Sequence, residues 1–218
     1  MDRLMNALSR LDWTCVETAE RQSRTALDEL CRPGPLRDLL AGVLTDERLL
    51  GLSERHSWGD RLVLWDDPVN QWRIRLHRFE DRADEPHSHR WPFHTLVLHG
   101  SYHHALYGPE RWVRSVMENG GSLPRPSVVR TEGAGSSYAI DDEMVHYVKT
   151  EADTFSVIVQ GPRLKERALR IRDGAVVWQE GRASQSEGQT RSVLTTSDRV
   201  EEIAELAHRV GLLDSSRL

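Results

Sequence analysis

The feature that most limits the fold of this chain is a run of short β-type segments between residues 61 and 178. Each segment is rich in β-branched and aromatic residues and is bounded by turn residues. The last two flank Asp173-Gly174, a dipeptide typical of tight hairpin turns. No helical pattern alternates with the segments, so they predict an antiparallel sandwich or barrel of mainly β class. The predicted strands are 61–65, 72–79, 92–98, 102–107, 112–117, 127–130, 137–140, 145–149, 154–160, 167–171 and 175–178.

The residues before the strands have helical periodicity instead. Leu4, Leu8 and Leu11 recur at helical spacing, and a second apolar stripe follows an interrupting Pro-Gly-Pro turn at 33–35. We therefore predict an N-terminal helical segment at 1–54. It either packs on the main domain or serves as a lid or dimer contact, and the sequence does not separate these roles.

The residues after the strands predict a linker and one more helix. Residues 182–192 are polar and show no periodicity. Asp198 then offers an N-cap with Glu201 three residues later, and Gly211 is the predicted stop. The expected organisation is a helical segment at 1–54, a β domain at 55–181, and a linker with a terminal helix at 182–218.

Charge and cysteine content limit the partners and the compartment. The net charge is −5 and no basic block occurs, so we expect no nucleic-acid partner. No apolar run approaches membrane-spanning length, and the first ten residues contain no uninterrupted apolar stretch. Cys15 and Cys31 show neither metal-ligand spacing nor a disulfide pattern. These observations favour a cytoplasmic protein without a membrane partner.

One stretch of the β region, residues 86–100, carries a concentration of histidines. His87 and His89 are two residues apart, so on a strand both imidazoles point to the same side. Imidazole suits zinc, copper, iron and nickel. A further histidine, His146, lies eleven residues after Gly135 and on another predicted strand. An antiparallel barrel brings distant strands together, so His146 could complete a metal site begun by His87 and His89.

These residues resemble the two motifs of the cupin superfamily, G-x5-H-x-H-x(3 or 4)-E-x6-G and G-x5-P-x-G-x2-H-x3-N. His87, His89 and Gly100 fit the first motif, and Gly135 and His146 fit the second. The resemblance covers roughly residues 60 to 180 and implies a single jelly-roll barrel, flanked here by N-terminal and C-terminal helices. It also implies a metal ion and, by analogy, a homodimer. The positions that depart from the motifs are Asp81, Asp141, Glu143 and Thr150.

The position of the motif's glutamate has two readings. If four residues follow the H-x-H element, His94 occupies it, as in cupins with four-histidine sites. If three residues follow, Phe93 occupies it and Gly100 falls in register, as in cupins with three-histidine iron sites. Both alternatives remain open from the sequence.

Neutral imidazoles without a carboxylate would leave a divalent ion its full charge and open positions. Such an ion can polarise an anionic substrate, lower the pKa of bound water or, if it is Fe(II), bind O₂. We expect a small polar substrate and an Fe(II) oxygenase. Zn, Mn, Ni or Cu are the other candidate metals, with a lyase, cyclase or isomerase as the second hypothesis. A binding module in which the metal is structural or absent is the third.

Helices followed by an arginine-bearing strand and H-x-H also resemble the thiol dioxygenases, a three-histidine branch of the cupins. That resemblance makes Arg61 the candidate for binding a substrate carboxylate. Gln160 stands where that family carries a tyrosine, which argues against thiol oxidation. Tyr138 and Tyr147 are candidate acids or hydrogen-bond donors.

The strand at 72–79 has two unlike faces. Arg73 and Arg75 alternate with apolar residues, and the apolar set is expected to face the barrel interior. In the opposite orientation the two arginines would bind a substrate anion. Trp91 and Phe93 are expected to wall the pocket beside the histidines. The histidines of the next strand are expected to be exposed or to hydrogen-bond a ligand imidazole: His99, His103 and His104.

Overall fold

The structure, a computed structural model, describes residues 2–181 and 193–214 of the 218-residue chain. The predicted linker at 182–192 lies outside the described residues. None of the helices in the described ranges is both long and apolar enough to cross a membrane. The helices are α1 (Asp2–Leu8), α2 (Val16–Leu30), α3 (Pro33–Thr45), α4 (Glu47–Leu52), α5 (Glu110–Glu118) and α6 (Ser197–Arg209).

The strands are mostly those that the sequence predicted, and every pairing between them is antiparallel. The mainly β class is therefore confirmed. The strands are β1 (Glu54–His56), β2 (Gly59–Asp67), β3 (Trp72–Phe79), β4 (Arg82–Ala83), β5 (Phe93–His99), β6 (Ser101–Pro109), β7 (Val128–Gly133), β8 (Ser137–Ile140), β9 (Met144–Thr150), β10 (Thr154–Gln160), β11 (Arg167–Arg172) and β12 (Ala175–Glu180).

A large sheet has the strand order β1-β2-β3-β10-β5-β8, and a second layer contains β4-β9-β6-β7 and the hairpin β11-β12. The segment 86–88 joins the two parts of the second layer. His87 exchanges backbone hydrogen bonds with His146 of β9, at 2.8 and 2.9 Å. On its other side, the Ser88 amide donates to the Leu169 carbonyl of β11 at 2.9 Å. The histidine motif is thus fixed by backbone pairing between two strands.

The helices other than α5 cover the outer face of the large sheet. Leu8 of α1, Leu27 of α2, Leu40 of α3 and Ile203 of α6 are buried in one apolar cluster with sheet residues such as Phe155. This packing buries the side of the sheet that faces away from the histidines. Since apolar surface removed from water contributes roughly 25 cal/mol per Å², this cluster is the main stabilising core.

The orientation of β3 is the reverse of the one that the sequence favoured. Its apolar residues Ile74 and Leu76 are fully buried under the helices. Arg73, Arg75 and His77 instead line the cavity between the two layers. The alternation itself was predicted, but the prediction of which face is interior was wrong because the helices supply a larger apolar surface outside the sheet than the cavity does inside it.

Two local predictions also need correction. The predicted strand at 112–117 is helix α5, in which Val113 and Met117, four residues apart, pack into a second apolar cluster. The terminal helix is present, but its N-cap is Thr196 rather than Asp198, with the Thr196 hydroxyl accepting from the Arg199 amide at 3.3 Å. β-Branched residues occur in helices as well as in strands, and more than one residue near the start of a helix can act as its N-cap. Neither local pattern therefore decides the structure by itself.

Candidate metal centre

The three motif histidines lie together at one end of the space between the layers. The ring centroids of His87 and His89 are 4.7 Å apart, and those of His87 and His146 are also 4.7 Å apart. The Nε2 atoms of His89 and His146 are separated by 2.8 Å. One potential ligand atom from each of the three histidines lies within 4.8 Å of the other two. Pairing of segment 86–88 with β9 therefore brings the two sequence motifs into one group.

This arrangement fits a divalent metal ion. Two imidazole nitrogens bound to one ion at about 2.0–2.1 Å each lie roughly 3 Å apart, close to the spacing of the two Nε2 atoms. Burial lowers the pKa of His87, and it lowers the pKa of His89 and His146 well below the ordinary value. Near neutral pH all three rings are consequently uncharged, which is the state that binds a metal.

Backbone contacts orient His87 toward the group. Its Nδ1 lies 2.8 Å from the carbonyl oxygen of Glu85, which can only accept a hydrogen bond. The proton is therefore on Nδ1, and Nε2 keeps its lone pair for a metal. Asp84 lies 3.5 Å from the same Nδ1 and adds negative charge on that side of the ring.

A buried chain of two further residues orients His146. His146 Nδ1 lies 2.9 Å from His104 Nε2, and His104 Nδ1 lies 3.3 Å from a Glu132 carboxylate oxygen. A carboxylate accepts only, so one proton order satisfies the chain: His146 donates to His104, and His104 donates to Glu132. This order leaves His146 Nε2 free to bind a metal, as outer partners of metal-binding histidines commonly do.

His104 is thus the histidine that hydrogen-bonds a ligand imidazole, one of the two roles expected for its strand. The sequence did not distinguish it from His99 and His103, and it gave no role to Glu132. What identifies His104 is the register of the pairing between β6 and β9, which makes His104 and His146 diagonal neighbours.

The structure does not bring His94 to this group. His94 is fully buried on the other face of β5, where Nδ1 lies 2.5 Å from the Ser23 hydroxyl of α2 and Nε2 lies 2.6 Å from the Ser137 hydroxyl. Phe93 faces the histidines instead, and its ring centroid is 4.8 Å from that of His89. Of the two sequence alternatives, the geometry matches the one with Phe93 at the glutamate position.

A cavity of about 610 Å³ opens from the three histidines between the two layers. Arg61 and Arg73 line it, but each forms an ion pair there, with Glu54 and Asp66 respectively. The other predicted substrate-binding residues on its wall are Arg75, Trp91 and Phe93. All five therefore line the cavity, Arg73 and Arg75 in the orientation that the sequence did not favour, and two of the arginines are neutralised by carboxylates.

The two candidate tyrosines have different positions. Tyr138 lines the cavity, and its hydroxyl lies 2.6 Å from that of Tyr102. Burial raises the pKa of Tyr138, so the phenol stays protonated and can act as a hydrogen-bond donor. Tyr147 follows His146 on β9 and packs on the opposite face, in the cluster with Val113. Because strand side chains alternate, the prediction of Tyr147 as a site residue was wrong.

Comparisons with known proteins give structural similarities only. Neither a protein-family model nor a curated protein matches the sequence. An RmlC-like cupin from Shewanella frigidimarina is 15% identical, with 51% of this chain and 85% of that chain covered and a TM-score of 0.37. A hydroquinone 1,2-dioxygenase from a Sphingomonas species is 13% identical, with 47% and 65% covered and a TM-score of 0.37.

The polyketide cyclase RemF from Streptomyces resistomycificus is 19% identical, with 50% of this chain and 69% of that chain covered and a TM-score of 0.35. These neighbours thus include a dioxygenase and a cyclase, and they share no single reaction. Three of the similar solved structures are described as cupins, the superfamily whose motifs the two histidine segments resemble.

Proposed function

We propose that this protein is a metal-dependent single-barrel cupin enzyme that acts on a small polar molecule, as a non-haem Fe(II) oxygenase. The observation that carries the proposal is the group of three neutral histidines, which includes no carboxylate from the described residues, at the wall of a cavity large enough for a small substrate. When bound, a divalent ion would supply Lewis acidity, and Fe(II) would also supply a centre for O₂ chemistry.

The chain's own residues would have separate tasks. His87, His89 and His146 would hold the ion, with the Glu85 carbonyl and His104 fixing two of the rings. Phe93 and Trp91 would exclude water from the ligand side of the cavity, since their rings lie 4.8 and 6.3 Å from the ring of His89.

A non-redox lyase, cyclase or isomerase with Zn, Mn or Ni is the second candidate. The observation in its favour is Tyr138, which stays protonated and is backed by the Tyr102 hydroxyl. A phenol held in this way could donate a proton or hydrogen bond to a substrate polarised by a metal. Acid–base chemistry of this kind needs no oxidant.

Metal analysis of protein purified without chelators tests the proposal. We expect about one iron per chain, and nitric oxide, a spectroscopic substitute for O₂, should give the electron paramagnetic resonance signal of a ferrous nitrosyl centre. His87→Ala and His146→Ala should lose both the iron and the signal. The exposed His103 lies on β6, so His103→Ala is the matched control and should keep both.

Zinc in place of iron, without a nitric oxide signal, would contradict the oxygenase and favour the second candidate. Protein that binds no divalent metal, or that keeps its metal in both alanine variants, would contradict the metal centre itself.

A further inference from the structure

One guanidinium in the cavity wall differs from its neighbours. Arg75 is only 7% exposed, and its Nε is buried without a hydrogen-bond partner among residues 2–181 and 193–214. It also forms no ion pair with a carboxylate in the part of the chain that the structure describes. The Arg75 guanidinium instead lies over the ring of Trp91, whose centroid is 5.3 Å from Arg75 Cζ.

An unpaired buried charge is costly, because the lost hydration is not replaced. Burial lowers the pKa of Arg75 well below its usual value, and the nearby charges of Arg61, Arg73 and Arg90 lower it further. A guanidinium nevertheless remains charged in proteins. Arg61 and Arg73 have carboxylates beside them, and Arg90, which also lines the cavity without an ion pair among the described residues, is only half-buried. The most deeply buried uncompensated charge of the wall is therefore that of Arg75.

Two more buried polar atoms of the cavity wall lack a partner in the described ranges, His77 Nε2 and Gln160 Oε1. His77 is two residues after Arg75 on β3, so both point to the cavity. Arg75 pairs with Ile158 of β10, which places Gln160 diagonally beside it on the same face. The wall therefore presents a cation, an acceptor oxygen and an imidazole nitrogen to the same cavity.

This polar set is connected to the three histidines. Trp91 lies between them, with its ring centroid 6.3 Å from that of His89 and with Arg75 over its face. Gln160 pairs with Phe93, the residue whose ring contacts His89. A molecule bound at Arg75 would thus extend along Trp91 toward the histidines.

We propose that Arg75 binds the carboxylate of a small organic acid while Gln160 Oε1 accepts a hydrogen bond from a hydroxyl or amino group of the same molecule. Its identification as the substrate rests on the proposed metal-dependent function. One deeply buried, uncompensated guanidinium matches one negative charge, whereas a phosphate dianion would need a second cation as deeply buried beside it. The substrate class is accordingly a hydroxy- or amino-substituted carboxylate.

Isothermal titration calorimetry with matched acids and amides tests this class. The probes are 3-hydroxybenzoate and 3-hydroxybenzamide, lactate and lactamide, and phenyl phosphate. We expect at least one acid to bind about tenfold or more tightly than its amide, and Arg75→Met to abolish that preference. Arg167 lies over the Trp178 ring outside the cavity, with its Cζ 4.1 Å from the centroid, so Arg167→Met is the matched control and should change binding less than about twofold.

A second readout separates binding from a structural role. Removal of an uncompensated buried charge should leave the melting temperature of the ligand-free protein equal or higher, and the loss of binding by Arg75→Met then reflects the site and not the fold. If that variant does not fold, Gln160→Leu supplies the test, because it should lose the preference for 3-hydroxybenzoate over benzoate.

Equal binding of acids and amides, tighter binding of phenyl phosphate, or no binding of either acid would each overturn the carboxylate site. Metal content measured on the same samples distinguishes the two proposals. A protein that holds iron but fails these tests contradicts the carboxylate site alone, whereas a protein without metal contradicts the proposed function.

Discussion

Buried histidines occur on both sides of the large sheet, and the two environments make them chemically different. On the cavity side, His87, His89 and His146 each direct a ring nitrogen into a shared space. On the helix side, His94 has both nitrogens occupied by the hydroxyls of Ser23 and Ser137. Burial lowers the pKa in both places, so neither burial nor neutrality identifies a metal ligand. What distinguishes the cavity histidines is that a ring nitrogen of each faces the other two histidines rather than a hydroxyl group.

The largest expected difference between the two environments is in metal binding. His89→Ala removes a ligand nitrogen and should weaken the affinity for a divalent ion by on the order of a hundredfold or more. His94→Ala should leave the metal stoichiometry unchanged. Competition with a coloured chelator measures both. Loss of metal from the His94 variant would show that the helix-side histidine belongs to the site and would remove the contrast.

For the free energy of unfolding we expect the opposite ranking, with a larger effect at His94 than at the cavity histidines. His94→Leu removes one partner of the buried Ser23 hydroxyl and one of the half-buried Ser137 hydroxyl, which keep their contacts with Ala19 and Glu20. We expect a loss of about 1–3 kcal/mol in the free energy of unfolding. The exposed His103 offers a control, since His103→Ala should change stability by no more than about 0.5 kcal/mol. Urea unfolding of samples with equal metal loading gives the comparison. A cost for His94→Leu as small as the control's would mean that the serine contacts are not formed.

The sequence could predict part of this contrast. The spacing of His87, His89 and His146 predicted one group, and strand alternation predicted that Phe93 and His94 point to opposite sides. Neither pattern says which side is the cavity, because that depends on the helices that cover the other face. The same ambiguity explains why Arg75 was expected to point away from the cavity. Both faces of β3 are buried, one under the helices and one against the cavity, so alternation alone does not tell them apart.

The sequence did not predict features that depend on which residues of neighbouring strands pair. His104 became distinguishable from its neighbours only when the pairing of β6 with β9 set it beside His146. Helix α5 was mistaken for a strand because its β-branched residues suit either structure and only its packing into the second apolar cluster decides. Long-range contacts, rather than local propensity, determine both.

Replacing the residues that orient His146 should weaken metal binding less than replacing one of the three histidines. Replacing His104 with phenylalanine, or Glu132 with glutamine, disrupts the proton order that leaves His146 Nε2 free. We expect metal affinity to fall about 10–100-fold with the three ligands still in place. The Glu132→Gln variant retains side-chain size, so a fall there separates hydrogen bonding from packing. Unchanged affinity in both variants would mean that His146 is oriented without this chain.

The smallest expected effect is a difference in acid sensitivity. Burial lowers the pKa of His94 to about 4, from an ordinary value of 6.5 in the unfolded chain. Between these values the unfolded chain binds a proton that the folded chain does not, so the free energy of unfolding falls as the pH drops. From pH 6.5 to 5.5 the unmodified protein should lose about 1 kcal/mol more than His94→Leu, with a constant gap between them above about pH 7.5. Urea unfolding at each pH, with equal metal loading, measures the gap. Parallel curves across the acid range would mean that His94 is protonated in the folded protein and that its two serine contacts differ from those described.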